Sequence, residues 1–241
     1  MKYCTEWFDR LPSTNAYMKE RIAQASTLLN GTIFATHEQT AGRGRSDRKW
    51  ISAPDTNLCF SLFVQTDCAL IDVPSLTMAA ALGIADFLNG LKIPAAPKWP
   101  NDVLVGNSKI CGILSERIET EKTRGIIVGI GLNVNMSSEE AAAIDRPATS
   151  MLIESVKAGD LFQTLENLLP YLDHWIEDWK HGGFSNLRKI WTEKAGPIGK
   201  PIKVHDGDLY KEGTLAGFGD HGELLLQTVQ GLETIWSGDV S

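Results

Sequence analysis

The sequence predicts an α+β fold, with strands and helices interleaved through residues 1–194 and a small all-β part over 195–241. Two long stretches with apolar residues at three- and four-residue steps predict helices. Short apolar or alternating runs between them predict strands. After Trp191 the texture changes to brief strands broken by AspGly, GlyPheGly and HisGly turns, which suits a small antiparallel barrel packed on the first part.

In chain order, residues 3–8 read as a short strand. Ser13 or Thr14 caps a helix running to about Gln24, with Tyr17, Met18 and Ile22 for its buried side. Residues 32–37 form a strand and 38–45 a loop. Residues 57–65 alternate, with Leu58, Phe60, Leu62 and Val64 on one face, the pattern of a half-buried strand. Leu76, Ala79, Ala80, Gly83, Ile84, Phe87 and Leu88 mark the first strong helix, with Pro74 near its start and Gly90 and Pro94 beyond its end. Strands at 103–105 and 110–118 flank 106–109, which reads as a hairpin turn carrying Lys109. The continuous apolar run at 125–132 predicts a central strand, and 137–150 a loop. Leu161, Leu165, Leu168, Leu172, Ile176 and Trp179 lay down the stripe of a second helix over 160–180, and 196–201 reads as a linker.

Composition narrows the function. The chain has 241 residues and a net charge of −7, which disfavours general binding to nucleic acid. Arg43, Arg45, Arg48 and Lys49 form a local basic cluster within that acidic balance. No apolar run reaches the length of a membrane span, and the N-terminus lacks the apolar core of a signal peptide, so a cytoplasmic address and no membrane partner are expected. Cys4, Cys59, Cys68 and Cys111 lack paired spacing and read as reduced thiols.

Several clusters carry chemistry. In the loop at 42–50, Gly42 and Gly44 permit positive φ and close approach to a ligand, Arg43 and Arg45 are forked donors for phosphate or carboxylate, and Trp50 offers a face to a flat ring. Taken alone, a Gly-Arg stretch is more often a solvated basic loop. LysTrpProAsnAsp at 98–102 offers Asn101 and Asp102 to Mg²⁺ and phosphate, or is a plain turn. Lys109 points at an anion or is an exposed turn lysine. Asn133 and Asn135, ending the apolar strand, read a purine edge or cap a turn.

Together these residues resemble a known family, the biotin–protein ligases. The matching segments are LeuProSerThrAsn at 11–15, GluGlnThrAlaGlyArgGlyArg…Trp at 38–50, LysTrpProAsnAspValLeuVal…Lys at 98–109, CysGlyIleLeuSerGlu at 111–116 and GlyIleGlyLeuAsnValAsn at 129–135. The resemblance covers essentially the whole chain and implies a mixed-sheet catalytic domain over 1–194 with an SH3-like domain over 195–241. It implies a monofunctional enzyme that makes biotinyl-5′-AMP from biotin and Mg·ATP, then transfers biotin to a lysine of a biotin carboxyl carrier domain. Biotin would be held by Ser13, Thr14, Asn15, Gln39, Arg43, Gly44, Arg45, Lys109 and Gly112. ATP would be held by Arg43, Arg45, Trp50, Lys98, Asn101 and Asn133. Arg45, Lys109 and Asp102 would be catalytic, with Asp102 also on Mg²⁺. Asp47 departs from the family's usual glycine, which bears on loop closure. The motifs begin at Ser13, so no DNA-binding domain and no DNA partner are expected; a homodimer through sheet edges is open. The alternatives are a lipoate or octanoate ligase or transferase, whose Arg-Arg…Gly-Gly-Gly loop is not found here, and a catalytically silent ligand- or RNA-binding protein.

Overall fold

The computed structural model describes all residues except 25–27, 46–47, 156, 197 and 207–208. β1 (Cys4–Leu11) leads through α1 (Thr14–Ala23) to β2 (Thr32–Gln39), which lies parallel to it. That pairing needs a crossover, and α1 supplies it. β3 (Asn57–Gln65), β4 (Ala95–Lys98), β5 (Asp102–Val105), β6 (Ser108–Glu119) and β7 (Arg124–Asn133) complete a seven-stranded sheet in the order β1-β2-β3-β7-β6-β5-β4. β7 is its middle strand, as the continuous apolar run predicts.

Helices cover both faces. α1 packs Met18 and Ile22 against Phe34, Phe63 and Ile127 on one side. On the other, α2 (Val73–Gly90) and α5 (Leu161–Gly182) enclose Leu58, Phe60, Leu62, Val64, Val128 and Ile130. β3 is therefore buried on both faces, not half-buried: the alternation records two environments, an apolar core under the even residues and Cys59, Ser61 and Phe63 above. Contrary to the expectation that no apolar run reaches the length of a membrane span, the helical stretch Leu70–Gly90, which includes α2, does so by length and composition; 72% of its most apolar 18 residues is buried inside the protein. The stripe read for α5, from Leu161 to Trp179, is buried throughout.

Other differences have local causes. The strand at 32–37 extends to Gln39, and the segment read as the loop 137–150 holds α3 (Ser138–Ala142), whose Ser137 and Glu140 form a reciprocal capping box. α4 (Met151–Ser155) and α6 (Phe184–Lys194) were not foreseen, and β4 is an edge strand short enough to escape periodicity. The hairpin turn is only Gly106–Asn107, with Gly106 at φ +57° in its first position. Lys109 consequently lies in β6.

Beyond α6, β8 (Pro201–Asp206), β9 (Leu209–Phe218), β10 (Leu224–Thr228), β11 (Gly231–Ile235) and β12 (Asp239–Val240) form an antiparallel five-stranded sheet, consistent with an SH3-like unit. Its Phe218 meets Phe184 and Trp191 of α6 edge-on at 6.5 and 6.2 Å. Trp99 Nε1 donates to the Gly222 carbonyl at 3.0 Å, so the small sheet sits against the segment that carries Asn101 and Asp102.

Candidate active site

The segment between β2 and β3 folds back on itself. Gly44 N donates to Arg48 O at 2.7 Å and Trp50 N to Gly42 O at 3.0 Å, and Arg43 bridges Lys49. This turn borders a cavity of about 930 Å³, which it shares with Gln39, Pro100, Asn101 and residues 113–116 of β6. Neither Gly42 nor Gly44 has positive φ, contrary to expectation. Gly42 is required for close approach instead: a Cβ there would sit 2.5 Å from the Trp50 carbonyl.

At one end lies a buried polar cluster. Ser13 caps α1 with φ −160°, its hydroxyl accepting from Ala16 N. Thr14 N donates to Gln39 Oε1 at 2.9 Å, Ser61 Oγ donates to Asn15 Oδ1 at 2.5 Å, and Thr14 Oγ1 lies 2.7 Å from Ser61 Oγ. Asn15 Nδ2 donates to Glu116 Oε2 at 2.9 Å. Burial alone would raise the Glu116 carboxyl. Hydrogen bonds from Lys19 and Asn15, with the charges of Lys19 and Arg43, outweigh that and hold it below the ordinary glutamate value. Burial pushes the Cys59 thiol beside Gln39 up to about 11, so it stays neutral.

The charged end depends on a β-bulge. Leu104 pairs with Lys109 and Val103 with Cys111, leaving Ile110 extra. Ile110 and Cys111 accordingly both point into the core, although they are neighbours on a strand. The extra residue returns Lys109 and Gly112 to one face, where a Cβ on Gly112 would lie 2.9 Å from Lys109 Nζ. Lys109 Nζ is 2.6 Å from Asp102 Oδ1. Arg45 Nη1 donates to Asn101 Oδ1 at 3.2 Å, and Asn101 Nδ2 is anchored on Ile113 O at 2.8 Å. Cations from the turn and from β6 thus meet adjacent residues of one strand entry.

Between the two ends lies a floor of glycines. Gly112 and Gly131 are cross-strand partners, and Gly129 follows on the same face. Trp50 lies against Gly112 and Gly131, Asn15 against Gly129, and Lys109 Nζ stands 5.8 Å over the Trp50 ring. Side chains on these glycines would collide with Lys109, Asn15 and Trp50, which the bare backbone lets lie flat on the sheet. An elongated, acid-bearing molecule would find polar groups at one end, a flat apolar bed in the middle, and cations at the other.

Comparison with known proteins agrees with this arrangement. The model of the biotin/lipoate A/B protein ligase family matches residues 7–133. The chain belongs to this family. Within it, a biotin–[acetyl-CoA-carboxylase] ligase from Paracoccus denitrificans is 32% identical over 238 residues, covering 96% of this chain and 97% of that protein. The bifunctional ligase/repressor BirA of Bacillus spizizenii is 33% identical over 215 residues; the match covers 87% of this chain and 66% of that longer protein. The biotin protein ligase of Aquifex aeolicus, solved in complex with biotin and ATP, superposes with a TM-score of 0.83 at 28% identity, covering 100% of this chain and 98% of that one.

The structure brings together most residues singled out in the sequence. Ser13, Thr14, Asn15 and Gln39 form the polar end; Arg43, Gly44 and Arg45 border the cavity; Gly112 and Trp50 meet; Asp102, Asn101 and Lys109 adjoin. Arg43 leans toward Glu116, at 3.7 Å. Others differ. Lys98 pairs in register with Asp102 at the sheet edge and does not line the cavity. Asn133 Nδ2 donates to Thr149 O at 2.9 Å and lies 3.4 Å from Lys109 O, so its amide braces Lys109. Asn135 binds Gly159 through both amide arms, at 2.8 Å each. Asp47 lies outside the described residues. Sequence reasoning missed Ser61, on the odd face of β3 where a polar residue in an apolar strand was the available signal, and Asp239, for which no local signal exists.

Proposed function

We propose that this protein is an ATP-dependent biotin–protein ligase of the biotin–[acetyl-CoA-carboxylase] type. The single observation that carries it is the approach of Lys109 to Asp102 at 2.6 Å beside Arg45 and Asn101, at the end of a glycine floor whose other end is polar. Ser13, Thr14, Asn15 and Gln39 match the donors and acceptors of a ureido ring, and a site built this way rejects analogues lacking those atoms. The acid group then reaches Arg45 and Lys109, with Arg43 and the Gly44 backbone nearby.

In the first step a carboxylate oxygen bonds to the α-phosphorus of ATP, the bond from that phosphorus to its bridging oxygen breaks, and pyrophosphate leaves. Arg45 and Lys109 hold the charge shared by the two reacting groups, where electrostatic stabilisation contributes most. Mg²⁺, when bound, neutralises the outer phosphates. Asp102 is the residue that would hold it: its Oδ1 is sealed from solvent, lies 2.6 Å from the Lys109 ammonium and has no hydrogen-bond partner. Among the described residues no group of three or more His, Cys, Asp or Glu gathers, at Asp102 or away from it, so the cation would rely on phosphate and water oxygens. In the second step a neutral lysine amine bonds to the acyl carbon and AMP leaves; Asp102, relieved of Lys109 by the phosphate, takes the amine proton. Trp50 covers the reacting chain from the glycine floor.

The acceptor in this reading is a biotin carboxyl carrier domain, the address is cytoplasmic, and the catalytic domain ends at residue 194. Association of two copies through a sheet edge belongs to the same reading, and sedimentation decides it. The experiment for the whole is mass spectrometry of a purified carrier domain incubated with enzyme, biotin and Mg·ATP. One biotinyl group per carrier is expected; modification by lipoate and not biotin overturns the assignment.

A further inference from the structure

One wall of the cavity belongs to neither the polar end nor the cationic end. Trp236, just past β11, reaches it from the small sheet and shares the lining with Val73 and Pro74 at the start of α2. Trp236 remains 45% exposed, facing solvent as well as the cavity. The rim is built, not loose. His221 Nδ1 lies 2.6 Å from Asp72 Oδ1, the residue before Val73, and the His221 ring stands 6.3 Å from that of Trp236. Gly222, at φ +90°, packs on Met78 of α2. The small sheet and the first turns of α2 therefore hold Trp236 and Pro74 in one fixed frame.

Chemistry decides what such a rim meets. Val73, Pro74 and Trp236 carry no cation for a phosphate, and the one donor of an indole does not read a purine edge. In a ligation through an acyl-adenylate, the acid and the nucleotide are already inside when the amine arrives. A group half in the cavity and half in solvent is left for the last substrate, which is the protein. Tryptophan is also the residue type most concentrated where protein partners are held.

We propose that Trp236, with Pro74, is a specificity-determining contact for the acceptor protein, packing on the aliphatic stem of the incoming lysine and the residues beside it. The inference rests on the proposed ligase reading and adds a contact confined to the second half-reaction. Three rates separate the possibilities: biotin-dependent pyrophosphate exchange, consumption of the adenylate by hydroxylamine, and transfer to a purified carrier domain. Trp236→Ala is expected to raise KM for the carrier about tenfold or more, the usual scale for a truncated aromatic anchor, while exchange and the hydroxylamine rate stay at the wild-type level. Trp236→Phe should recover most of the loss. An unchanged carrier KM overturns the proposal, and so does a parallel fall in exchange, which would place Trp236 on the nucleotide. Wild-type enzyme showing no biotin-dependent exchange would instead defeat the ligase reading itself.

Discussion

Lys109 Nζ stands 2.6 Å from Asp102 Oδ1 because the bulge at Ile110 turns Lys109 back toward the entry of β5. A regular strand would send Lys109 and Gly112 to opposite faces. Removing the ammonium removes charge stabilisation where it develops, so Lys109→Ala should lower the rate of adenylate formation about 100-fold or more. Biotin affinity should fall much less, because the polar end is untouched. Rapid-quench measurement of biotinyl-AMP checks this, and a loss confined to biotin affinity would count against the assigned role.

Ser61 joins Asn15 to Thr14 with no exposure to solvent. Ser61→Ala leaves buried polar atoms short of a partner, which costs roughly 1–3 kcal/mol. Denaturant titration should show that loss, and biotin KM should rise with kcat nearly unchanged, since the cationic end stays in place.

A Cβ on Gly131 would overlap the Trp50 ring. Gly131→Ala should therefore lift Trp50 from the floor. The expected result is weaker biotin binding in titration calorimetry, with the secondary structure preserved by circular dichroism.

Arg48 forms a two-pronged ion pair with Asp239 of β12, and Arg146 approaches the same carboxylate at 3.6 Å. Burial raises the Asp239 carboxyl, but Arg48, Arg146 and Arg45 hold it below the ordinary aspartate value. Its stabilising contribution is present above the unfolded pKa and is lost as pH falls through the lowered one. The pair is well exposed, so a double-mutant cycle of Arg48→Ala with Asp239→Ala should give only about 0.5–1 kcal/mol. Limited proteolysis should find the 42–50 turn better protected with biotin and ATP than without.

The His221–Asp72 contact titrates in the opposite sense. Asp72, by its hydrogen bond, raises the His221 imidazole above its ordinary value of 6.5. A raised folded value means the contribution is complete below the unfolded pKa and disappears as pH climbs through the folded one. His221→Gln should thus lower the melting temperature at about pH 6 and make little difference at about pH 9.

Much of this site was legible because its residues cluster in short segments of sequence. The arginine turn, the Asn101–Asp102 pair and the Ser13–Asn15 cap each announce themselves within a few residues; the turn and Asn101 line one cavity, and the cap joins it through hydrogen bonds to Gln39 and Glu116. Helix stripes and the central apolar strand were equally readable, since periodicity reports burial directly. What escaped depends on long-range pairing. The Ile110 bulge exists only through the register of β6 against β5, and the second cover of β3 only through α1 folding across it. For Asn133 the sequence left a purine edge and a turn cap both open, and only tertiary contacts decide where its amide goes, onto the Lys109 and Thr149 carbonyls. Asp239 lies far from Arg48 in sequence, so no local pattern could pair them.

The most direct test of the central claim is exchange of labelled pyrophosphate into ATP, measured without any carrier protein. Cations that converge on a biotin carboxylate and an α-phosphate predict exchange that requires biotin, is not supported by lipoate, and falls about 100-fold or more in Lys109→Ala. Exchange that proceeds with lipoate but not biotin, or that survives in Lys109→Ala at the wild-type rate, would contradict it.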